Sequence, residues 1–267
     1  MINIREYTPA DLPALTQLWV DAFNVSELFV QEFYRLLPEA GTCLVLEEDG
    51  CAVAMASVID DLHLEYGTGK VPERCAYLYG IAVSEAFRGK EYGQKITAEA
   101  RRLSLARNAD VVALMPASES LFSFYAAHTG FRPALCRERR ETAAGEFCRL
   151  RETDPDEYSV LRERLLSGTD HLRFSASAAR ILHMLCRQYG GGLYSSEEGI
   201  CACYTENGTC ILQDIISPRP DLLSAAAAAL SGCDTAVYYV PNREGTPFLS
   251  SDVPIPSEDM IWGFTLE

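Results

Sequence analysis

Hydrophobic residues follow a helical spacing in the first part of the chain and then gather into short apolar runs. Between residues 12 and 37 they recur every three or four positions, which predicts one or two amphipathic helices. The next two apolar runs flank Asp49-Gly50, a pair that supplies the positive φ of a tight turn, and they therefore predict a hairpin. The predicted elements are a strand at 3–7, helices over 12–37, strands at 42–47, 51–59 and 75–83, and a polar loop at 60–74.

A glycine-bearing loop separates the apolar run at 75–83 from a helical pattern at 94–107. A compact apolar run at 111–115 follows, and then a second helical pattern at 119–127. Gly130 can end this helix in the left-handed conformation. Strand, loop, helix, strand and helix form a βαβα unit, so the two strands are expected to be parallel neighbours.

From about residue 150 a similar order returns with weaker periodicity, but no glycine loop precedes its last helix. The sequence therefore predicts an α/β (α+β) fold with a mixed central sheet flanked by helices, in two domains at 1–149 and 150–267. The elements predicted in the second domain are helices at 154–167, 175–189 and 221–230, and strands at 193–195, 200–204, 209–216, 235–241 and 260–266.

The length and the charge of the chain limit the classes of function that it can have. At 267 residues and 48% hydrophobic, the chain can bury a large core. Its formal net charge of −15 argues against a nucleic-acid partner, which requires clustered Lys and Arg, and fits a cationic small molecule or basic peptide. No run reaches the roughly 18 to 20 apolar residues that span a bilayer, and the first residues are polar. We therefore expect a cytoplasmic protein without a membrane partner.

Ten cysteines are scattered singly, without any CxxC pair. They predict reduced, buried thiols, because a free cysteine packs as a small hydrophobe. The nearest approach to a metal cluster is Cys201, Cys203 and Cys210, which lack matching His or Cys partners. No metal site is predicted.

The loop FRGKEYGQKI, residues 87–96, lies where a strand ends and a helix begins. Unpaired N–H groups and the helix dipole favour an anion there. Glu91 opposes this, although an outward side chain leaves its N–H available and Arg88, Lys90 and Lys95 can offset its charge.

The strand LYGIAV, the loop RGKEYG with its helix, and the segment SESLFSFYAAHTGF together resemble the GNAT superfamily of acyl-CoA dependent N-acetyltransferases over roughly 130 residues. The loop fits the frame of that family except at Glu91, which stands where its first required glycine belongs. The resemblance implies a GNAT fold, with the second domain as a degenerate GNAT-like half, and acetyl-CoA as co-substrate.

The resemblance also implies which residues hold the co-substrate. The loop N–H groups cradle the pyrophosphate, the end of the strand adds the pantetheine arm through main-chain hydrogen bonds, and Ser118 touches that arm. The strand residues are Ile81, Ala82 and Val83, and the loop residues are Arg88, Gly89, Lys90, Glu91, Tyr92, Gly93 and Gln94.

Tyr125 is the residue that the resemblance assigns as the acid. A phenol with a pKa of about 10 can protonate the departing CoA thiolate. The family has four steps from this tyrosine to the glycine of GF, whereas five separate Tyr125 from Gly130, so a packed core tyrosine is the alternative. The general base stays unassigned among Asp60, Asp61, Glu65, Glu73, Tyr77 and Tyr79.

The two-domain layout also resembles tandem-GNAT aminoglycoside-type acetyltransferases of the enhanced intracellular survival class. There the C-terminal carboxylate reaches the active site from a further sterol-carrier-like domain, so the resemblance makes Glu267 a candidate for that role. The function expected is transfer of acetyl to a primary amine of a small molecule or peptide in a ternary complex. A non-catalytic CoA-binding regulatory module and a transferase of larger acyl chains are the alternatives. The acceptor and the oligomeric state stay open.

Overall fold

A computed structural model describes residues 1–266, which divide into two compact units. The first unit contains Met1–Leu62, Glu73–Ala134 and Leu249–Ile255, and the second contains His63–Pro72, Leu135–Phe248 and the residues from Pro256 onward. Each unit is therefore built from segments that are not consecutive in the sequence. The division into functional domains at 1–149 and 150–267 stays a prediction.

The predicted class, a mixed α/β fold with helices flanking a mixed sheet, is confirmed. The helices are α1 Leu12–Phe23, α2 Glu27–Ala40, α3 Tyr92–Ala106, α4 Glu119–His128, α5 Pro155–Leu166, α6 Ala176–Gln188 and α7 Pro220–Leu230. The strands are β1 Ile2–Glu6, β2 Gly41–Glu48, β3 Cys51–Glu65, β4 Glu73–Val83, β5 Val111–Leu114, β6 Arg132–Ala143, β7 Arg151–Glu152, β8 His171–Phe174, β9 Gly192–Ser196, β10 Gly199–Glu206, β11 Thr209–Ile216, β12 Thr235–Pro241 and β13 Thr246–Ser251.

Local sequence explains two element boundaries in the first unit. The Ser26 hydroxyl accepts the Phe29 N–H at 3.1 Å and so begins α2. Asp49 and Gly50 both have positive φ, which confirms the predicted β2–β3 hairpin. The predicted loop at 60–74 is wrong at both ends, because β3 continues to Glu65 with Leu62 and Leu64 buried on alternate positions and β4 already begins at Glu73.

The first unit is a sheet in the order β1-β2-β3-β4-β5-β13. β4 and β5 are parallel, as predicted, with a register from Cys75 opposite Val111 to Leu78 opposite Leu114. The hydrophobic core on one side of this pair includes Ile96 of α3. The βαβα unit therefore forms as its periodicity indicated.

β13 reaches the first unit from far along the chain. Ser250 and Ser251 pair antiparallel with Leu114 and Ala113 of β5. The next residue, Asp252, accepts the Val112 N–H at 2.8 Å and an Arg101 N–H at 2.9 Å, and its carboxylate is only 1% exposed. The sequence predicted no strand here, because the stretch is rich in Pro and Ser.

We expect Asp252→Ala to lower the free energy of unfolding of the first unit by about 2 to 4 kcal/mol. The change leaves the buried Val112 N–H unsatisfied and removes the carboxylate that pairs with Arg101. Urea unfolding followed by a probe in the first unit measures the effect. Asp252→Asn keeps an acceptor for Val112 and should cost less than half as much; equal losses would show that charge alone matters.

The second unit is a sheet in the order β6-β12-β11-β10-β9-β7. Its helices α5 and α6 begin after Asp154 and Ser175, whose side chains accept the N–H groups of Glu157 and Ala178. Asn207 and Gly208 have positive φ and form the predicted hairpin turn. β8 was missed by the sequence analysis, since four residues are too few to show a period.

The strand predicted at 260–266 is wrong. Ile261 makes one isolated bridge to His171, and Gly263 then takes a φ of +65°, which interrupts an extended strand. Polar groups of the segment form other bonds: the Trp262 carbonyl accepts from Arg162 at 3.3 Å, and the Trp262 indole donates to the Phe264 carbonyl at 2.8 Å. These bonds replace the ladder of a strand.

The ten cysteines are free thiols, and seven are buried. Cys51 is exposed, contrary to expectation, because it follows directly on the β2–β3 turn. Within residues 1–266 no cluster of three or more potential ligands could hold a metal ion. None of the helices described combines the length and apolarity needed to cross a membrane.

Candidate functional site

The site predicted from the sequence lies where β4 outlasts β5. Their shared register stops at Leu78 and Leu114, whereas β4 runs on through Ile81 and Ala82 to Val83. After β5 the chain does not continue along the sheet but enters α4. The strand residues assigned to the pantetheine arm therefore lie beyond the parallel pairing, where an extended ligand can add by main-chain hydrogen bonds.

Gly80 lies within β4, just before this continuation. Its φ is +60°, and a Cβ built on it would lie 2.4 Å from the Trp19 ring, so no larger residue fits. Trp19 in turn packs against Tyr79 with ring centroids 5.4 Å apart. Neither Gly80 nor Trp19 was predicted to belong to the site, although a glycine inside an apolar strand pattern is a signal of a bulge or a close approach.

The loop predicted to hold phosphate begins with a short 3-10 turn and ends at the N-terminus of α3. Gly89 has a φ of +81°, and Glu91, the residue before the helix, has a φ of +62° with an exposed side chain. The Lys95 N–H is bonded to the Glu91 carbonyl at 3.1 Å. The N–H groups of Tyr92, Gly93 and Gln94 belong to the first turn, whose donors have no acceptor within a helix.

The positive φ explains why glycine suits position 91. An L-residue pays about 1 to 2 kcal/mol in the left-handed region, whereas glycine does not. The Glu91 side chain is exposed, as the sequence analysis required if its N–H is to remain available. The replacement of the family's glycine by Glu91 therefore acts on the loop through backbone conformation.

Lys90 is not a free cation in this loop. Its ammonium is 2.9 Å from Glu48 Oε2 and lies 4.8 Å from the Phe87 ring centroid. The hydrogen bond to Glu48 raises the pKa of Lys90. Burial, and then hydrogen bonding to the same carboxylate, raises the pKa of Tyr92. The expectation that Lys90 offsets the charge of Glu91 is thus corrected, because Glu48 already balances it; Arg88 and Lys95 are exposed.

Three elements converge at Gly93. A Cβ built on Gly93 would lie 3.7 Å from Val83 Cγ2 and 3.8 Å from Phe124 Cζ, which are ordinary contact distances. The end of β4, the start of α3 and the middle of α4 are therefore neighbours. Ser118 is exposed and precedes α4, and its hydroxyl is 3.0 Å from Ser120 Oγ.

Tyr125 lies on α4 and belongs to the hydrophobic core of the first unit. Its side chain is largely buried, with ring centroids 5.3 Å from Phe124 and 6.5 Å from Phe131. Burial raises the pKa of Tyr125 to about 12. After the helix, Thr129 donates its N–H and hydroxyl to the Tyr125 carbonyl at 2.9 and 2.8 Å, and Gly130 takes a φ of +82°.

Several of the side chains considered as general bases contact other residues. Asp60 lies 3.3 Å from Arg107, and Glu65 lies 3.0 Å from Arg173. The Tyr77 ring is buried and stacks on Tyr79 at a centroid distance of 6.4 Å. Two further candidates, Asp61 and Glu73, are partly exposed. The base stays unassigned, and Glu267 lies outside the described residues.

We expect Glu91→Gly to raise the free energy of unfolding by about 0.5 to 1 kcal/mol. Glycine removes the free-energy cost of the left-handed φ at position 91. This gain exceeds the cost of the greater chain entropy that glycine has in the unfolded state. Acetyl-CoA affinity should hold or improve, because a carboxylate leaves the helix N-terminus. Thermal unfolding and calorimetry measure both quantities. Lys95→Gly, a substitution inside α3, is the control and should destabilise; a loss of stability for Glu91→Gly would contradict the argument.

A comparison with family models gives a match over part of the chain. Residues 12–131 match the model of the acetyltransferase (GNAT) family. No curated protein matches the sequence.

Solved structures share the fold of this chain. A GCN5-related N-acetyltransferase from Kribbella flavida superposes with a TM-score of 0.66 at 15% identity, covering 94% of this chain and 71% of the other. A putative acetyltransferase from Pyrococcus horikoshii gives 0.63 at 17% identity, covering 97% and 92%. Eis1 from Mycobacterium abscessus gives 0.62 at 13% identity, covering 92% and 66%. At these identities the likeness is one of fold, and it extends over nearly the whole chain.

Proposed function

We propose that this chain, whose residues 12–131 match the model of the acetyltransferase (GNAT) family, transfers the acetyl group of acetyl-CoA to a primary amine of a small molecule or peptide. The observation that carries the proposal is the continuation of β4 past the end of β5, directly before the N-terminus of α3. A strand edge and a set of open N–H groups there suit the two halves of CoA, a pantetheine amide chain and a pyrophosphate.

The co-substrate is held mainly by backbone. Ile81, Ala82 and Val83 bind the pantetheine amides, and the loop from Arg88 to Gln94 binds the pyrophosphate through its N–H groups and the dipole of α3. Ser118, exposed at the start of α4, offers its hydroxyl to the arm. Binding by N–H groups tolerates varied side chains, which explains how Glu91 is compatible with the role.

The reaction is a direct attack within a ternary complex. The neutral amine forms a C–N bond to the thioester carbonyl, the C–S bond breaks, and the thiolate leaves with its electron pair. Tyr125 gives that thiolate a proton, while the proton of the attacking amine passes to water or to a base not yet assigned. The buried phenol, with its pKa raised to about 12, stays protonated throughout the neutral range.

A non-catalytic CoA-binding module is the second candidate. It is favoured by the burial of Tyr125 in the core and by the strained backbone at Glu91, because neither feature is needed for catalysis. The two functions differ in one observable. Both require CoA binding, but only the first releases free thiol when an amine is supplied.

The test is calorimetry with acetyl-CoA followed by thiol release over a panel of amines. Micromolar binding with release supports the transferase, and binding without release on any amine supports the module. Octanoyl-CoA in the same assay addresses the preference for acyl length. Absence of binding at millimolar acetyl-CoA would refute both.

A matched pair at Gly93 tests the location of the site. Asn and Asp have the same size and enter the same contacts with Val83 and Phe124, but only Asp places a charge at the helix N-terminus. We expect Gly93→Asp to bind acetyl-CoA at least about tenfold more weakly than Gly93→Asn. Equal affinities would place the pyrophosphate elsewhere.

A further inference from the structure

The end of β2 places a carboxylate beside the loop that is proposed to hold the pyrophosphate. Glu48 is the last residue of β2, and its Oε1 and Oε2 atoms lie 3.2 and 2.9 Å from the Lys90 ammonium. The Glu48 side chain is 23% exposed and that of Lys90 is 48% exposed, so water reaches both partners. The cation of the loop is therefore already paired with an anion that belongs to the protein.

The same carboxylate also interacts with the first residue of α3. Hydrogen bonds from Lys90 and then from Tyr92 lower the pKa of Glu48. The Lys90 ammonium also lies 4.8 Å from the ring centroid of Phe87 and 5.8 Å from that of Tyr92. The faces of aromatic rings attract a cation. Two rings and one carboxylate thus hold the Lys90 ammonium in the absence of a ligand.

An ion pair of this kind can exchange one anion for another. Exposed ion pairs are weak, because water solvates both charges and ordering two long side chains costs entropy. A lysine ammonium is a compact point charge on a flexible stem and binds phosphate well. Lys90 lies between Gly89 and Glu91, inside the loop proposed to surround the pyrophosphate. A phosphate bound by the loop therefore competes with Glu48 for the Lys90 ammonium.

We propose that Glu48 is an internal competitor of the co-substrate's phosphate groups, which holds Lys90 in the free protein and releases it when acetyl-CoA binds. This inference rests on the proposed function and identifies a residue that sets the affinity of that site. Glu48 is a positioning residue, since it acts through Lys90 and not on the reacting atoms. When a binding group is available for only part of the time, the apparent affinity falls by that fraction. Glu48 therefore weakens the binding of acetyl-CoA.

A purely structural role for the same ion pair predicts the opposite result. If Glu48 served only to order the loop, its removal would loosen the loop and weaken the binding of acetyl-CoA. If Glu48 competes with phosphate, its removal strengthens binding. The sign of the change in affinity therefore separates the two roles.

The test is calorimetry with acetyl-CoA on the whole chain and on its Glu48→Gln variant. Glutamine has the size of glutamate but carries no charge. We expect the variant to bind acetyl-CoA about two- to fivefold more tightly, which is the strength of an exposed ion pair expressed as an equilibrium ratio. Thermal unfolding checks that each variant is folded.

Lys90→Gln supplies the second arm of a double-mutant cycle. It should bind acetyl-CoA more weakly than the parent, and adding Glu48→Gln to it should change the affinity by less than about twofold, because no ammonium remains to be released. The matched control is Glu47→Gln. Glu47 is the neighbouring carboxylate of β2, but it accepts from Arg5 Nε at 3.1 Å, so this variant should bind as the parent does.

Three results would overturn the inference and leave the proposed function standing. They are unchanged or weaker acetyl-CoA binding by Glu48→Gln, an equal gain in affinity for Glu47→Gln, and a full gain from Glu48→Gln in the Lys90→Gln protein. Absence of acetyl-CoA binding by the parent would instead refute the proposed function, and this inference with it.

Discussion

Tyr125→Phe is expected to lower kcat about 10²- to 10⁴-fold while acetyl-CoA affinity stays nearly constant. The substitution keeps the ring and its packing against Phe124 and Phe131, so the loss reports the hydroxyl alone. The measurement is kcat on any accepted amine together with the dissociation constant of CoA. Tyr7→Phe, in another partly buried tyrosine of the same unit, is the control and should leave both values unchanged.

The pH profile separates catalysis from packing at this residue. Because burial raises the pKa of Tyr125 to about 12, the acid keeps its proton well above the ordinary value near 10. Loss of kcat through its ionisation should therefore begin only as pH approaches 12. A Tyr125→Phe protein with near-normal kcat would show that the phenol only packs and that water protonates the thiolate.

Gly263→Ala is expected to destabilise the second unit by at least about 3 kcal/mol. A Cβ there would lie 2.2 Å from Asp214 Oδ1 and 2.8 Å from Arg162 Nη2, at a φ of +65°. Both partners are buried, and Arg162 also donates to the Leu172 carbonyl at 2.6 Å, so neither can move without breaking other bonds. Urea unfolding of the whole chain measures the loss.

The control for this change is Gly232→Ala. Gly232 lies in the same unit with a φ of +68°, but a Cβ there meets nothing within 4 Å. Its cost should be about 1 kcal/mol, from backbone strain alone. Similar losses at the two positions would show that the ion pair relaxes around the new methyl group.

Features coded by neighbouring residues could be predicted from the sequence. Periodicity and turn residues located α3, β5 and α4, and the strand-loop-helix order gave the parallel pairing of β4 with β5. The loop from Arg88 to Gly93 was found because its chemistry is local. Its assignment to the co-substrate stays a prediction.

Features that depend on residues far apart in the sequence could not be predicted. Gly80 is required by Trp19, about sixty residues earlier, and the strand containing Ser250 pairs with β5 although nothing in its own composition indicates it. No sequence pattern singled out Arg162 or Asp214, which form a buried ion pair. Each depends on tertiary contacts, which override local propensity and leave no periodic trace.

The place of Asp252 also has a consequence for biosynthesis. A ribosome releases the N-terminal residues first and adds roughly 5 to 20 residues per second. The Val112 N–H and Arg101 must therefore wait through the synthesis of most of the second unit before their partner emerges. During that interval, on the order of 5 to 25 s, the edge of β5 is exposed on the nascent chain. Chaperone binding to released chains truncated before residue 249 should accordingly exceed binding to the released chain of 267 residues.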